Sequence, residues 1–212
     1  HYSGKVVRNS QLHLGVYWQG SLEGAIQFGP PMDRRRVLGL VEGTEWNGML
    51  ELNRLAFSDR LPRNSESRAL GVAFRLFRKH RPDIEWILSY SDATQSGDGT
   101  IYRATGFVLT GIKRNTEIYG LPDGSTISGH ALSPGGSSAT REKLGVDQTA
   151  APGKVLRELG ARQLEGFQIR YLYFLNPEAR YRLTVPEIPY SEIAARGATM
   201  YRGQKAERRA GC

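Results

Sequence analysis

Between Met49 and Tyr90 the chain alternates a strand, a long helix and a second strand, and this commits it to an α/β fold. In Met49–Phe57, Leu50, Leu52 and Ala56 alternate with Glu51, Asn53 and Leu55, as a strand with one buried face would. Arg54 falls in phase with Leu50, Leu52 and Ala56. A charge on a buried face is costly unless it is paired or points into a site, so Arg54 is either half of an ion pair at the strand end or part of a site. The loop Ser58–Arg63 leads to Asn64-Ser65-Glu66-Ser67, where Asn64 or Ser65 can cap the free amides of a helix start. Ala69, Leu70, Ala73, Phe74, Leu76 and Phe77 then recur with helical period until Pro82. Ile84–Tyr90 reads as a central strand.

The flanking segments complete a mixed sheet. Leu12–Trp18 and Leu22–Phe28 surround Gln19-Gly20-Ser21 as an antiparallel hairpin, which Gly29-Pro30-Pro31 ends. After the central strand come a polar loop at Ser91–Gly99, a short helix at Thr100–Thr105 closed by Gly106, and a strand at Phe107–Gly111. The alternation of Phe167, Ile169, Tyr171, Tyr173 and Leu175 predicts a closing strand. Residues 115–153 are rich in Gly, Ser, Thr, Pro and Ala. Glu117–Tyr119 and Ser125–Ser128 flank a Leu-Pro-Asp-Gly turn and predict a small hairpin, Ala131–Pro152 a mobile loop or lid, and Lys154–Leu159 a short helix.

With 212 residues, 39% of them apolar, the chain suits one domain carrying an insertion at 115–153 and a basic tail at 203–212 that is expected to be disordered. No apolar run approaches the ~20 residues that span a bilayer. The single cysteine, Cys212, rules out an intrachain disulfide or a cysteine-based metal site and fits a reducing cytoplasm. Because the chain begins at His1, residues upstream are expected. Lys and Arg outnumber Asp and Glu by 29 to 21, a net charge of +8, which suits either a polyanionic partner or a plain soluble surface. The grouping of arginines favours nucleic acid, with Arg34, Arg35 and Arg36 the first candidates for phosphate contacts.

Tyr90-Ser91-Asp92, then Gly99-Thr100-Ile101-Tyr102-Arg103-Ala104-Thr105-Gly106-Phe107 and Thr110-Gly111, resemble the fifth strand, fourth helix and sixth strand of GNAT-type N-acetyltransferases. In that fold two neighbouring strands splay apart, acyl-CoA lies between them, and its pyrophosphate sits on the following helix start, here Arg63–Gly71. The usual glycine-rich pyrophosphate signature is replaced by Asn64-Ser65-Glu66-Ser67-Arg68-Ala69-Leu70-Gly71. A narrower resemblance is to the Mom type of phage DNA adenine-modification proteins. It covers His1-Tyr2-Ser3, Phe28-Gly29-Pro30-Pro31, Glu51-Leu52-Asn53-Arg54-Leu55, the Asn64–Ser67 helix start and Ser89–Gly111. It continues through Leu121-Pro122-Asp123-Gly124, Arg170–Leu175 and Met200-Tyr201-Arg202-Gly203.

This second resemblance implies conversion of adenine in phage DNA to an N6-carbamoylmethyl derivative that blocks restriction enzymes, in the host bacterial cytoplasm. It also implies that Arg54, Ser67, Asp92 and Tyr102 fall at the site, with His1 and Tyr2 at its edge. Adenine's exocyclic nitrogen is a poor nucleophile, so it must be aligned and deprotonated as its new bond forms. Asp92 is the candidate base; alternatively it is a loop-start residue accepting backbone amides. Tyr102 could serve as general acid or oxyanion donor, or as a core tyrosine. Arg54, Ser67 and Asn64 suit anchoring of the donor, against an ion pair and helix-start polar groups as their plain alternatives. His1, with Tyr2 and Asp92, is a candidate ligand for iron or another divalent metal.

Simple acetyl transfer would leave N6–CO–CH₃ and not N6–CH₂–CO–NH₂. Either the methyl carbon of acetyl-CoA is activated, for example oxidatively at a metal, or a glycyl-type donor supplies the CH₂ and later rearranges. Because a duplex hides N6, the adenine of double-stranded DNA is expected to be flipped and stacked on an aromatic such as Tyr2 or Trp18. Arg34–Arg36 and the insertion would hold phosphates and cover the site. The competing readings are an acetyl-CoA-dependent N-acetyltransferase of proteins or small amines, and a non-enzymatic nucleic-acid-binding module.

Overall fold

The computed structural model describes residues 9–94, 97–133, 138–201 and 204–205. β1 (Leu12–Trp18) and β2 (Ser21–Gly29) form the expected hairpin, with Gln19 and Gly20 both at positive φ in the tight turn. The basic Arg34–Arg36 segment is the start of α1 (Arg34–Leu38), because the Asp33 side chain caps it by accepting the Arg36 amide at 3.3 Å. β3 (Met49–Phe57) pairs antiparallel with β2. α2 (Ser65–His80) then carries the chain back to β4 (Trp86–Asp92), which lies parallel to β3, as a strand–helix–strand crossover between neighbours requires. α3 (Thr100–Ala104) and β5 (Val108–Arg114) follow.

An excursion through β6 (Ile118–Gly120), β7 (Thr126–Ser128), a 3-10 turn at Gly129–Leu132, α4 (Ser138–Lys143), α5 (Pro152–Glu158) and β8 (Arg162–Gln163) precedes β9 (Phe167–Phe174). β9 inserts between β4 and β5, so the main sheet has the order β1-β2-β3-β4-β9-β5. This is the mixed central sheet with flanking helices that the sequence predicts.

Both faces of the sheet are covered. Leu70, Ala73, Phe74 and Phe77 project from one side of α2 onto Phe28, Leu50, Leu52, Ile87 and Tyr171, with the Phe77 ring edge-on to Phe28 at 4.9 Å and Phe74 stacked on Tyr173 at 4.0 Å. Each of the leucine and phenylalanine side chains contributes about 2 kcal/mol by leaving water. On the opposite face Val37 of α1 packs with Leu40, Val41, Met49, Trp86, Leu88 and Leu172. α6 (Ser191–Ala195) closes the first core through Ile193. No described helix is long and apolar enough to cross a membrane.

One register shift changes the reading of β3. Phe28 pairs with Leu52 but Gln27 pairs with Arg54, so Asn53 is an extra, bulged residue. Beyond it the alternation reverses: Leu55 joins Leu50 and Leu52 on the α2 face, while Arg54 and Ala56 move to the face of Glu51. The shared face inferred for Arg54, Leu50 and Leu52 is therefore corrected.

The insertion hairpin is present as β6 and β7, but β8 joins them, so the inserted unit continues to Gly166. Ile127, Leu132, Val155 and Leu156 give it a small core of its own. Arg141, only 3% exposed, donates from its guanidinium to the carbonyls of Leu132, Asp147 and Ala150, fastening the segment between β7 and α5. Apart from 204–205, the tail at 203–212 lies outside the described residues.

Candidate active site

The two parallel strands separate. β3 and β4 are paired only at Met49↔Trp86, Leu50↔Ile87 and Glu51↔Leu88, although β3 runs on to Phe57 and β4 to Asp92. The Asn53 bulge bends β3 away with β2 immediately after the last of these pairs. On its other edge β4 remains bound to β9 down to the Ala93 amide, which donates to the Phe167 carbonyl at 2.8 Å. Since backbone groups alternate direction along a strand, Tyr90 and Asp92 turn theirs toward the gap. The Tyr102 hydroxyl from α3 reaches the Tyr90 carbonyl at 3.5 Å, and its ring rests between Tyr171 and Phe107, with centroids at 5.1 and 5.2 Å. Burial raises the Tyr171 phenol far above its ordinary range, and its hydroxyl donates to the Asp98 carbonyl, steadying the approach to α3.

On the α2 side lies a cavity of about 410 Å³ whose polar lining includes Asp59, Arg63, Asn64, Glu66, Ser67 and Thr100. Asn64 adopts a left-handed conformation at φ 69°, and no side chain caps the helix. Instead the Ser65 hydroxyl donates to the Pro62 carbonyl at 2.6 Å and that of Ser67 to the Asn64 carbonyl at 3.1 Å. The positive end of a 16-residue helix is thus presented to the cavity without a side-chain cap, which suits an anion. Just past the last paired rung, Ser89 is fully buried and its hydroxyl has no hydrogen-bond partner among the described residues. An orphaned donor of this kind costs about 1–3 kcal/mol.

The other face is charged. Asp92 accepts from the Thr94 amide at 2.9 Å and from Asn115 Nδ2 at 3.2 Å, so it ties the strand end to the start of the insertion. Arg170 of β9, paired across from Tyr90, donates to the Thr110 hydroxyl at 3.1 Å and to the Thr110 carbonyl at 2.9 Å. Burial lowers its pKa and raises that of Tyr90. Glu51, half-buried, is pushed up to about 7 by desolvation, against the smaller opposing effect of its hydrogen bond with Asn53.

The residues expected at the site therefore divide around one gap. Tyr102, Ser67 and Asn64 stand on the α2 side; Arg54 and Asp92 stand on the other. Of the arginines expected at phosphates, Arg34 is held by the Trp46 carbonyl and Asn47 Oδ1, each at 3.0 Å, and stacks on the Trp46 ring. Arg36 pairs with Asp33 at 3.0 Å, and Arg35 is exposed. All three flank the core on the Arg54 face. Trp18 lies at the tip of the first hairpin, 43% exposed. His1 and Tyr2 lie outside the described residues, and among those described no group of three or more His, Cys, Asp or Glu could hold a metal. Sequence reasoning missed Glu51, Ser89, Tyr90, Arg170 and Asn115. Only Glu51 carried a signal, as a carboxylate three residues from Arg54 in a strand now known to be bulged.

Comparison with known proteins adds sequence and structural relatives. A relative from Escherichia phage Mu, named methylcarbamoylase Mom, is 34% identical over 186 residues, spanning 86% of this chain and 71% of the relative. Among solved structures, a Bacillus anthracis protein described as a streptothricin acetyltransferase, in complex with acetyl coenzyme A, is 11% identical with a TM-score of 0.41, covering 82% of this chain and 71% of its own. The GNAT-like decarboxylase GphF, in complex with isobutyryl-CoA, is 14% identical with a TM-score of 0.34 and covers 77% of each chain. The model of the Mom protein family matches residues 1–192, and the chain belongs to that family.

Proposed function

We propose that this chain transfers a two-carbon unit from an acyl donor to N6 of adenine in double-stranded DNA, forming the N6-carbamoylmethyl derivative and shielding phage DNA from restriction in the host cytoplasm. The observation that carries the proposal is the gap between β3 and β4, with an anion-suited cavity on one side and a charged face on the other. The name of the Mu relative, methylcarbamoylase, supports the same reaction.

The α2 side fits an acyl-CoA: Asn64, Ser67 and the uncapped start of α2 would hold its phosphates, and the orphaned Ser89 hydroxyl would meet a carbonyl. When bound, a glycyl-type donor would supply both the CH₂ and the amide nitrogen: N6 would displace the leaving group at its carbonyl, and the resulting N6–CO–CH₂–NH₂ would rearrange to its isomer N6–CH₂–CO–NH₂. Tyr102 donates a hydrogen bond at the β4 edge, where charge develops on oxygen. Arg54 anchors the transferred unit from the opposite face. Asp92 accepts the proton that N6 gives up, its carboxylate held in place by the Thr94 amide and Asn115. Trp18 offers a stacking surface for the flipped base, and the exposed Arg35 and Arg36 neutralise phosphates. His1, with Asp92, would be the place for a metal; no step is assigned to one.

The test is to express the chain with a plasmid, digest the DNA to nucleosides and examine deoxyadenosine by mass spectrometry. A deoxyadenosine carrying a carbamoylmethyl group is expected. Unmodified plasmid from well-expressed protein would sink the proposal, as would acetylation of an amine in the absence of DNA.

A further inference from the structure

The face of α2 turned away from the sheet carries a line of cations to which the chemistry above gives no task. Leu70, Ala73, Phe74 and Phe77 are buried, while Arg68, Arg75 and Lys79 stand on the opposite side, within about 40° of one another around the helix axis. All three are exposed, and among the described residues none has a hydrogen bond or an ion pair. Their neighbours differ: Arg78 is held by the Tyr173 hydroxyl and the Leu175 carbonyl, and Arg81 by Asp83. No acid occurs from Ser67 to Pro82. Arg75 and Lys79, one helical turn apart, repel each other, and Arg68 stands beside the first turn, where a cation opposes the helix dipole. The line therefore weakens the free helix and suits a polyanion laid along it.

The line starts at the cavity of Asn64 and Ser67 and runs about 18 Å along the helix to Lys79. With the pyrophosphate of coenzyme A at the helix start, its single further phosphate, on the same nucleoside, does not reach Lys79. The DNA lies elsewhere, since α2 and the sheet separate the line from Asp92 and Arg54. An RNA strand carries phosphates at intervals close to one helical turn and ends in a ribose whose hydroxyl can bear an aminoacyl ester. We propose that the donor enters on such a strand, as a glycyl ester of its terminal ribose, with the RNA phosphates along Arg68, Arg75 and Lys79 and the ester in the gap. The inference rests on the glycyl-type donor of the proposed reaction and names its leaving group. As N6 bonds to the ester carbonyl carbon, the bond from that carbon to the ribose oxygen breaks. Asp92 takes the N6 proton, and the ribose oxygen takes one up and leaves as a hydroxyl.

The test uses the purified full chain and a fluorescent RNA hairpin with a single-stranded 3′ end, beside duplex DNA and acetyl coenzyme A, with binding followed by anisotropy and calorimetric titration. Arg75→Ala combined with Lys79→Ala is expected to weaken RNA binding about ten-fold and to reduce its salt slope by about 1.4 units. DNA and acetyl coenzyme A should bind as before, and Arg75→Lys combined with Lys79→Arg should keep the RNA affinity. The same hairpin, its terminal ribose acylated with radiolabelled glycine, should pass label to deoxyadenosine in plasmid DNA, and pass it about ten-fold more slowly in the alanine variant at limiting RNA. RNA and DNA affinity falling together, a loss of acetyl coenzyme A binding, unchanged RNA binding, or label that stays on the RNA would each overturn the proposal. If the alanine variant fails to fold, the label transfer by the wild type decides alone. Plasmid left unmodified in cells would remove the adenine reading itself; modified plasmid with no transfer from glycyl-RNA would remove only the RNA donor.

Discussion

The two faces of β4 are built from opposite chemistry. Under α2 the strand sets Ser89 and Ser91 beside Phe107 and Tyr171, a wall without ionic side chains where even a tyrosine hydroxyl is held by a backbone carbonyl. Across the sheet the same strand presents Tyr90 and Asp92 among Glu51, Arg54 and Arg170. The difference teaches how one gap can serve two reactants. An acyl chain can lie against the neutral wall without facing a bare charge, while a base edge and its proton need the polar side.

Removing the charge at the strand end should break the contrast most severely. Asp92→Ala is expected to lower modified deoxyadenosine by about 100-fold or more, the usual scale for a lost general base, while Tyr102→Phe lowers it by about 10-fold. Nucleoside mass spectrometry of co-expressed plasmid measures both, and full modification by Asp92→Ala would show that the charged face has no part in the chemistry.

Glu51 gives the next largest effect, on stability. Its folded-state pKa, about 7, lies above the ordinary 4.5, so the folded protein holds this proton more tightly than the unfolded chain. Its stabilisation is complete below the ordinary value and is lost as pH rises to about 7, amounting to about 3 kcal/mol. Urea denaturation across this interval should show that slope in the wild type and not in Glu51→Gln, which becomes the more stable protein above neutrality.

Ser89 sharpens the comparison from the neutral side. Ser89→Ala removes an orphaned hydroxyl and should stabilise the unliganded protein by about 1 kcal/mol, read from thermal unfolding, while weakening titration with acetyl coenzyme A several-fold. Equal binding by both proteins would show that the hydroxyl does not meet the donor. The smallest effect belongs to the surface: Arg35→Ala should weaken DNA binding uniformly across sequences and reduce the salt slope by about one unit, measured by anisotropy at several salt concentrations.

Much of the scaffold could be read from the residues in order. The apolar spacing of α2 agrees with the structure except at Leu76, which is 44% exposed, the span of β3 agrees throughout, and the polar start at Asn64 falls where the helix begins. The candidate residues were legible only in part. The family resemblance, and not residue patterning, singled out Asp92 and Tyr102, and their placement on opposite sides of β4 was not legible, since it depends on α3 packing against Tyr171 and Phe107. Arg54 was placed on the wrong face because strict alternation cannot anticipate a bulge. Glu51 looked like an ordinary solvent-side residue, and only its partial burial beside β4 makes it otherwise. The insertion looked loop-like because its short strands and its buried Arg141 depend on partners distant in the chain.

By itself the sequence determined the order of strands and helices and the residues that line their apolar sides, because periodicity and turn chemistry act over a few neighbouring residues. The tertiary structure decided where β3 and β4 part, which side chains face each other across that gap, and which acid is desolvated enough to hold its proton more tightly than usual. Those properties arise from register and desolvation, which exist only once distant strands have been brought together.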